Sequence, residues 1–205
     1  MRRLISVTAL ALLFAATTAS AQTVSTDPKQ APAGAYQLET RHTQVLFAIP
    51  HFGITNYYGR FDKSSGSLDF NPADPAKSSV SITIDTSSVD MMSPELMKTV
   101  QQTGIFDTGD FPEATFKSTS ATRTGPNTGT VTGDLTIKNI TKPVTFTVTY
   151  NGGLKSPLNN AYDIGFHGTA TIKRSDYNMT NMIWSPMVGD EVQIIVEALF
   201  TQAKE

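Results

Sequence analysis

Apolar residues recur at every second position through much of this chain. Val45, Phe47 and Ile49 alternate with Gln44, Leu46 and Ala48, and Val80, Ile82 and Ile84 alternate with Ser79, Ser81, Thr83 and Asp85. Val144, Phe146, Val148 and Tyr150 are interleaved with Thr145, Thr147 and Thr149. A fourth row, Tyr162, Ile164, Phe166, Ala170 and Ile172, opposes Asp163, His167, Thr169, Thr171 and Lys173, and Val192, Ile194, Val196, Ala198 and Phe200 make a fifth. A period of two puts each apolar row on one face of a strand and its Ser/Thr row on the other. Weaker strands are expected at 57–62, 66–70, 115–122 and 128–138, with Gly, Pro and Asn between them. This spacing predicts one all-β domain, an antiparallel barrel or sandwich. Parallel βαβ units would need a crossover helix for each strand pair, and the chain offers one good helix.

That helix is expected to begin at Ser93 as N-cap, with Pro94 in the first position and Glu95 complementing the dipole. Leu96, Met97 and Val100 form its apolar stripe, and Gly104 is the expected stop. Met91, Met92, Ile105, Phe106 and Phe111 flank it. Two readings stay open and compatible: a plug closing one end of a core, or a lid of flexible methionines over a cavity mouth.

Ahead of the strands lies a different pattern. Met1-Arg2-Arg3, an apolar run from Leu4 to Ala16, and Ala19-Ser20-Ala21 before Gln22 read as a signal peptide over 1–21. Its apolar run is too short to span a bilayer. The expectation is Sec-type export, cleavage after Ala21, and a periplasmic or secreted mature chain. Residues 22–35 are polar and rich in Pro, Ala, Ser and Thr, and are expected to form a flexible tether before a domain at 36–205.

Charge and composition narrow the partners. The whole chain carries a net charge of −2, and cleavage would remove Arg2 and Arg3 and make it more acidic. It has no basic block, which argues against nucleic acid and against attraction to anionic headgroups. No later stretch reads as a transmembrane helix. With no cysteine there are no disulfides, thiolate metal sites or cysteine nucleophile. His42, His51 and His167 invite a metal hypothesis, but His42 and His51 fall on opposite faces of a regular strand, and structural hydrogen bonding is the expectation. No nucleophile elbow or glycine-rich phosphate loop is present, so no catalytic residue and no cofactor are expected.

An ordered set of motifs resembles the YceI-like polyisoprenoid-binding family. It opens with His42-Thr43-x-Val45-x-Phe47-x-x-x-His51-x-Gly53, then Gly59-Arg60-Phe61 and Gly66-Ser67-Leu68-Asp69-Phe70. Val80-x-Ile82-x-Ile84-Asp85-Thr86-x-Ser88-Val89, Ile105-Phe106-Asp107 and Phe111-Pro112-x-x-Thr115-Phe116-x-Ser118 follow. The C-terminal half adds Val131-x-Gly133-x-Leu135-Thr136-Ile137-x-x-Ile140-Thr141-Lys142-Pro143-Val144, Gly165-Phe166, Ile172-x-Arg174-Ser175-Asp176-Tyr177 and Val188-Gly189-Asp190. The resemblance spans about 36–201 and implies a lipocalin-like antiparallel β-barrel with one short helix. It further implies an apolar cavity for a long amphiphilic lipid, a polyisoprenoid of quinone or polyprenyl type. Departures fall in the helix, which lacks the His common in the family, at Ile105 in place of a Phe, at Asn139 in place of Gly, and at Tyr177-Asn178-Met179. They bear on headgroup preference rather than fold.

The cavity lining expected from this resemblance is Phe47, Ile49, Ile82, Met92, Leu96, Met97, Phe106, Phe116, Phe146, Val148, Tyr162, Phe166 and Trp184. Arg174 and Asp176 are candidates for a polar rim that meets a headgroup, or for an ion-paired turn joining two strands. The partner is a small-molecule lipid, with transient membrane contact and a homodimer left open. The alternative is a filled-core envelope protein serving a membrane redox or stress-response partner; a third, weaker reading makes one histidine a catalytic base.

Overall fold

The alternating rows become strands of one sheet that curls until its edges meet. The structure is a computed structural model and describes residues 23–180 and 186–203. Strands β1 (Gly34–Leu38) and β2 (Gln44–His51) both run antiparallel to β11 (Glu191–Gln202). Leu38 lies opposite Phe200 and Val45 opposite Val196, so β1 and β2 share one edge of β11 end to end. The next two layers repeat the break: β3 (Thr55–Phe61) pairs with β2 and β4 (Ser64–Phe70) with β1. Then β5 (Ser79–Asp85) pairs with β4, and β6 (Val89–Asp90) with β3. Four strands, β7 (Glu113–Arg123), β8 (Thr128–Ile137), β9 (Ile140–Lys155) and β10 (Tyr162–Lys173), complete an antiparallel meander back to β11.

The order β1-β4-β5-β7-β8-β9-β10-β11 closes through the β1–β11 pairing into an eight-stranded antiparallel barrel. Closure removes the sheet edges that would otherwise recruit other strands. Register shifts between Ser118 and Ser120 and between Gly165 and Phe166 supply the local bending that closure needs. Strands β2, β3 and β6 continue upward from β11, and the sheet order ends at β6. Helix α1 (Pro94–Gln101) follows β6, and its Leu96, Thr99 and Val100 line one cavity together with Ile137 of β8 and Ile172 of β10.

The helix start follows the sequence expectation. The Ser93 hydroxyl accepts the Leu96 N–H at 3.4 Å and donates to the Glu95 carboxylate at 2.9 Å. The helix ends at Gln101, short of Gly104, which sits with φ 91° in the following turn. There the Phe106 N–H donates to the Val100 carbonyl at 3.0 Å and turns Phe106 inward.

The segment expected to be a tether is instead docked over residues 24–33. Ser25 and Gly153 exchange two backbone hydrogen bonds of 2.9 Å, and Asp27 caps a 3₁₀ turn at Pro28–Gln30. Pro28 and Ala31 are buried at the end of the barrel opposite α1. Its polar composition hid this, because anchoring runs through backbone pairing and two small apolar side chains.

Candidate binding site

Among the described residues, side chains of the barrel border a series of three apolar chambers. The first, about 190 Å³, lies beneath α1; the second, about 240 Å³, fills the barrel's middle; the third, about 120 Å³, lies toward the docked N-terminal segment. The first and second share Phe47, Phe61, Phe106, Ile137 and Ile194, the second and third share Leu68, Val131, Val148 and Phe166, and the first and third share no residue. Common walls therefore set the three end to end along the barrel, as a channel divided by the side chains they share. On β11 the inward row passes from Val192 in the first chamber through Ile194 to Phe200 in the second. At about 3.3 Å per residue that span is roughly 27 Å along the strand, or about 20 Å along a barrel axis after the usual strand tilt.

Aromatic rings form both partitions. Phe47, Phe61 and Phe106 meet in a triangle with centroid separations of 5.7, 6.3 and 5.4 Å. Gly59 makes room for it, because a Cβ there would stand 2.3 Å from the Phe47 ring and 2.5 Å from the Met91 sulfur. At the second partition Phe166 packs against Phe70 at 5.8 Å and Tyr150 at 5.4 Å. Phe116 and Phe146, 5.2 Å apart and edge to face, wall the middle chamber.

Most of the expected lining stands on this channel. Ile49 and Leu96 face the first chamber; Phe47 and Phe106 face the first and second; Ile82, Phe116 and Phe146 face the second; Val148 and Phe166 face the second and third. Met97 and Tyr162 pack against the two core clusters without bordering a chamber. Met92 is a correction: it is 85% exposed, while its neighbour Met91 is 6% exposed and lines the first chamber. Met92 takes a left-handed φ of 57° and its N–H donates to Asp90, which turns the chain outward after β6. Trp184 lies outside the described residues.

The polar candidates separate. Arg174 reaches the first chamber, but its guanidinium donates to the carbonyls of Gly189 at 2.9 Å, Met179 at 2.5 Å and Val188 at 3.1 Å. Asp176 is exposed and borders none of the three chambers. The adjoining turn is tied by Asp190, which accepts the Ser175 N–H at 3.0 Å and hydroxyl at 2.8 Å. Burial pushes the Asp190 carboxyl up, but the Ser175 hydrogen bonds and the charges of Arg174 and Lys173 outweigh it and hold the group below the usual carboxylate range.

The three histidines do not converge. His42 is exposed in the β1–β2 turn and meets Glu39 at 2.6 Å, and His167 meets Glu197 at 2.6 Å across β10 and β11. His51 alone borders a chamber, its ring 4.6 Å from that of Tyr57. Among the described residues no group of three or more His, Cys, Asp or Glu side chains could hold a metal ion.

Several lining residues escaped the sequence reading. Ile194, Ile172 and Ile84 were legible, since each lies on one of the alternating apolar rows. Phe61 and Tyr57 share a parity on a weak strand. Met91 carried no signal of its own, because sequence does not tell which of two adjacent methionines faces inward.

The model of the YceI-like domain matches residues 36–200, from β1 into β11. The chain belongs to the YceI-like family. It is 37% identical over 172 residues to a UPF0312 protein of Ectopseudomonas mendocina (strain ymp), covering 83% of this chain and 90% of that one. Among solved structures it superposes on Burkholderia cenocepacia BcnA with a TM-score of 0.72 at 30% identity, over 79% of this chain and 98% of that one. A Saccharophagus degradans polyisoprenoid binding domain, implicated in plant cell wall breakdown, matches with a TM-score of 0.62 at 15% identity, over 82% and 98% of the two chains, which shows a common fold. The apolar lining of this YceI-like barrel suits a hydrophobic small molecule.

Proposed function

We propose that this YceI-like protein is an exported carrier that sequesters a long amphiphilic lipid of polyisoprenoid type, with quinone or polyprenyl character, in the segmented channel. The carrying observation is the run of three apolar chambers in series, which suits a long flexible chain better than a compact ligand. Each methylene leaving water contributes about 0.8 kcal/mol, so a tail of roughly twenty carbons gains more than ~10 kcal/mol before ordering costs. A flexible branched chain also suits walls built of offset aromatic rings that stand between neighbouring chambers. The binding domain in the S. degradans relative lends the isoprenoid class its support. Export rests on the leader over 1–21 and would place the carrier in the periplasm or outside the cell.

Native mass spectrometry of the protein purified without detergent, followed by organic extraction of any bound mass, tests the reading. A discrete adduct that extracts as a quinone or polyprenyl lipid is the expected result. A clean protein mass that also takes up no added isoprenoid would refute it.

A further inference from the structure

We propose that the β2–β3 hairpin tip, Phe52–Ile54, is a docking element that inserts into the interface of a neutral phospholipid bilayer and sets the channel mouth against it. The proposal deepens the carrier reading and rests on it for its purpose: the ligand passes between bilayer and channel without crossing water.

The tip is a tight turn built against local preference. Phe52 and Gly53 have successive left-handed φ values of 52° and 70°, and the Ile54 N–H donates to the His51 carbonyl at 3.1 Å. Two successive left-handed residues in a three-residue loop are conformations that favour Asn, Asp or Gly. A bulky Phe in the left-handed region is an outlier. Here that Phe is 57% exposed, and Ile54 beside it is 86% exposed. Two apolar side chains thus stand in water where turn chemistry and hydration both favour a small polar residue.

The hairpin is pinned by backbone hydrogen bonds to the chain at 187–189 and borders the first chamber. The Phe52 N–H donates to the Met187 carbonyl at 2.7 Å, and the Gly189 N–H to the Pro50 carbonyl at 2.8 Å. Its inward side chains, His51 and Tyr57, line the first chamber, so the exposed tip projects from that chamber's rim. Tyr58, on the outer face, is 52% exposed and has the apolar body and polar end suited to a membrane–water boundary.

Charge and area select the occupant. From Thr43 through Gly59 the chain has no Lys, Arg, Asp or Glu, within a protein of net charge −2. No fixed charge lies near the tip to attract an anionic headgroup or repel a zwitterionic one, and Arg60 at the far end of β3 is paired with Asp62 and Asp90. The exposed parts of three side chains amount to a few hundred Å² at most, well short of the roughly 800 Å² per partner of a stable protein interface. A bilayer interface needs no complementary surface and accepts small apolar insertions.

The chain has no cysteine, so a single label can be placed at will. Ile54→Cys carrying an environment-sensitive fluorophore is mixed with phosphatidylcholine vesicles, beside Leu158→Cys as control. Leu158 is 93% exposed in the β9–β10 turn at the opposite end of the barrel. The expected result is a blue shift and several-fold rise in emission at the Ile54 site, insensitive to salt, with no change at the Leu158 site. In the unlabelled protein, Phe52→Asn should lower vesicle partition about tenfold and leave uptake of detergent-dispersed geranylgeraniol unchanged. No response at the Ile54 site, or a response only to phosphatidylglycerol vesicles, overturns the proposal. So does a dimer in sedimentation velocity that Phe52→Asn dissolves, since the tip is then a contact between copies. Insertion of the tip by a protein that takes up no isoprenoid upholds docking and sinks the carrier reading instead.

Discussion

Phe106→Ala tests whether the aromatic triangle divides the channel. The ring is half-buried and touches both the first and second chambers, with Phe61 at 5.4 Å and Phe47 at 6.3 Å. Removing a Phe from a filled core costs about 3–5 kcal/mol, partly for the cavity left behind. Here voids of about 190 and 240 Å³ already flank the ring, so little new cavity surface is created. The loss reduces to transfer of a partly exposed ring and two edge contacts, about 2–3 kcal/mol. For a domain of this size that lowers Tm by about 5–10 °C. The deletion also joins the two chambers, so ligands long enough to reach both should gain. We expect affinity for a long polyprenol to rise about tenfold relative to farnesol, the effect of roughly two further buried methylenes. Calorimetric melts of the lipid-free protein give the first quantity, and competition binding across isoprenols of graded length gives the second. A destabilised variant with an unchanged chain-length profile would refute the partition. An unchanged Tm would refute the packing.

Three further outcomes follow from the same geometry. Phe146→Asp puts an unpaired carboxylate into the middle chamber; in a protein that still shows the far-UV spectrum of the wild type, isoprenoid binding should be lost, and retained binding would remove Phe146 from the ligand's path. Arg174→Lys cannot reproduce a fork that donates to the Gly189, Met179 and Val188 carbonyls; a loss of about 2–3 kcal/mol in urea unfolding, with faster amide exchange at Val188 and Gly189, is expected. Asp190 and Asp85 are held below the usual carboxylate range, Asp85 chiefly by the hydrogen bond from the Ser87 hydroxyl. A depressed folded pKa adds stability above the unfolded value of about 4 that is lost as pH falls through the folded one; Tm should therefore hold near neutrality and drop in acid, and Asp190→Asn should flatten the drop.

The fold was legible because a barrel writes its inward face directly into the chain. Each strong row, such as Val192 to Phe200, became a strand, and even the weak reading at 57–62 marked β3. Ser93 and Pro94 fixed where the helix starts because a cap is satisfied by residues within one turn of it. The YceI-like motifs carried the expectation of a cavity, which alternation alone does not contain, since a filled core and a hollow one demand the same inward rows.

What needed the tertiary structure was everything set by contacts between distant residues. The division between the first and second chambers follows from Phe106, brought by the turn after α1 against Phe47 of β2 and Phe61 of β3, and that between the second and third from Phe166 against Phe70 and Tyr150. Ser25 pairs with Gly153, a partner far along the chain that no local pattern announces. The carbonyls of Met179, Val188 and Gly189 that Arg174 meets are gathered by the fold, and no local pattern names them. Met91 and Met92 are equal in composition and opposite in role, because a single left-handed residue decides which faces water. Local sequence sets periodicity and caps, since these depend on neighbours within a few residues. Cavity shape is the space left over when every strand has been placed, so it belongs to no segment of the chain.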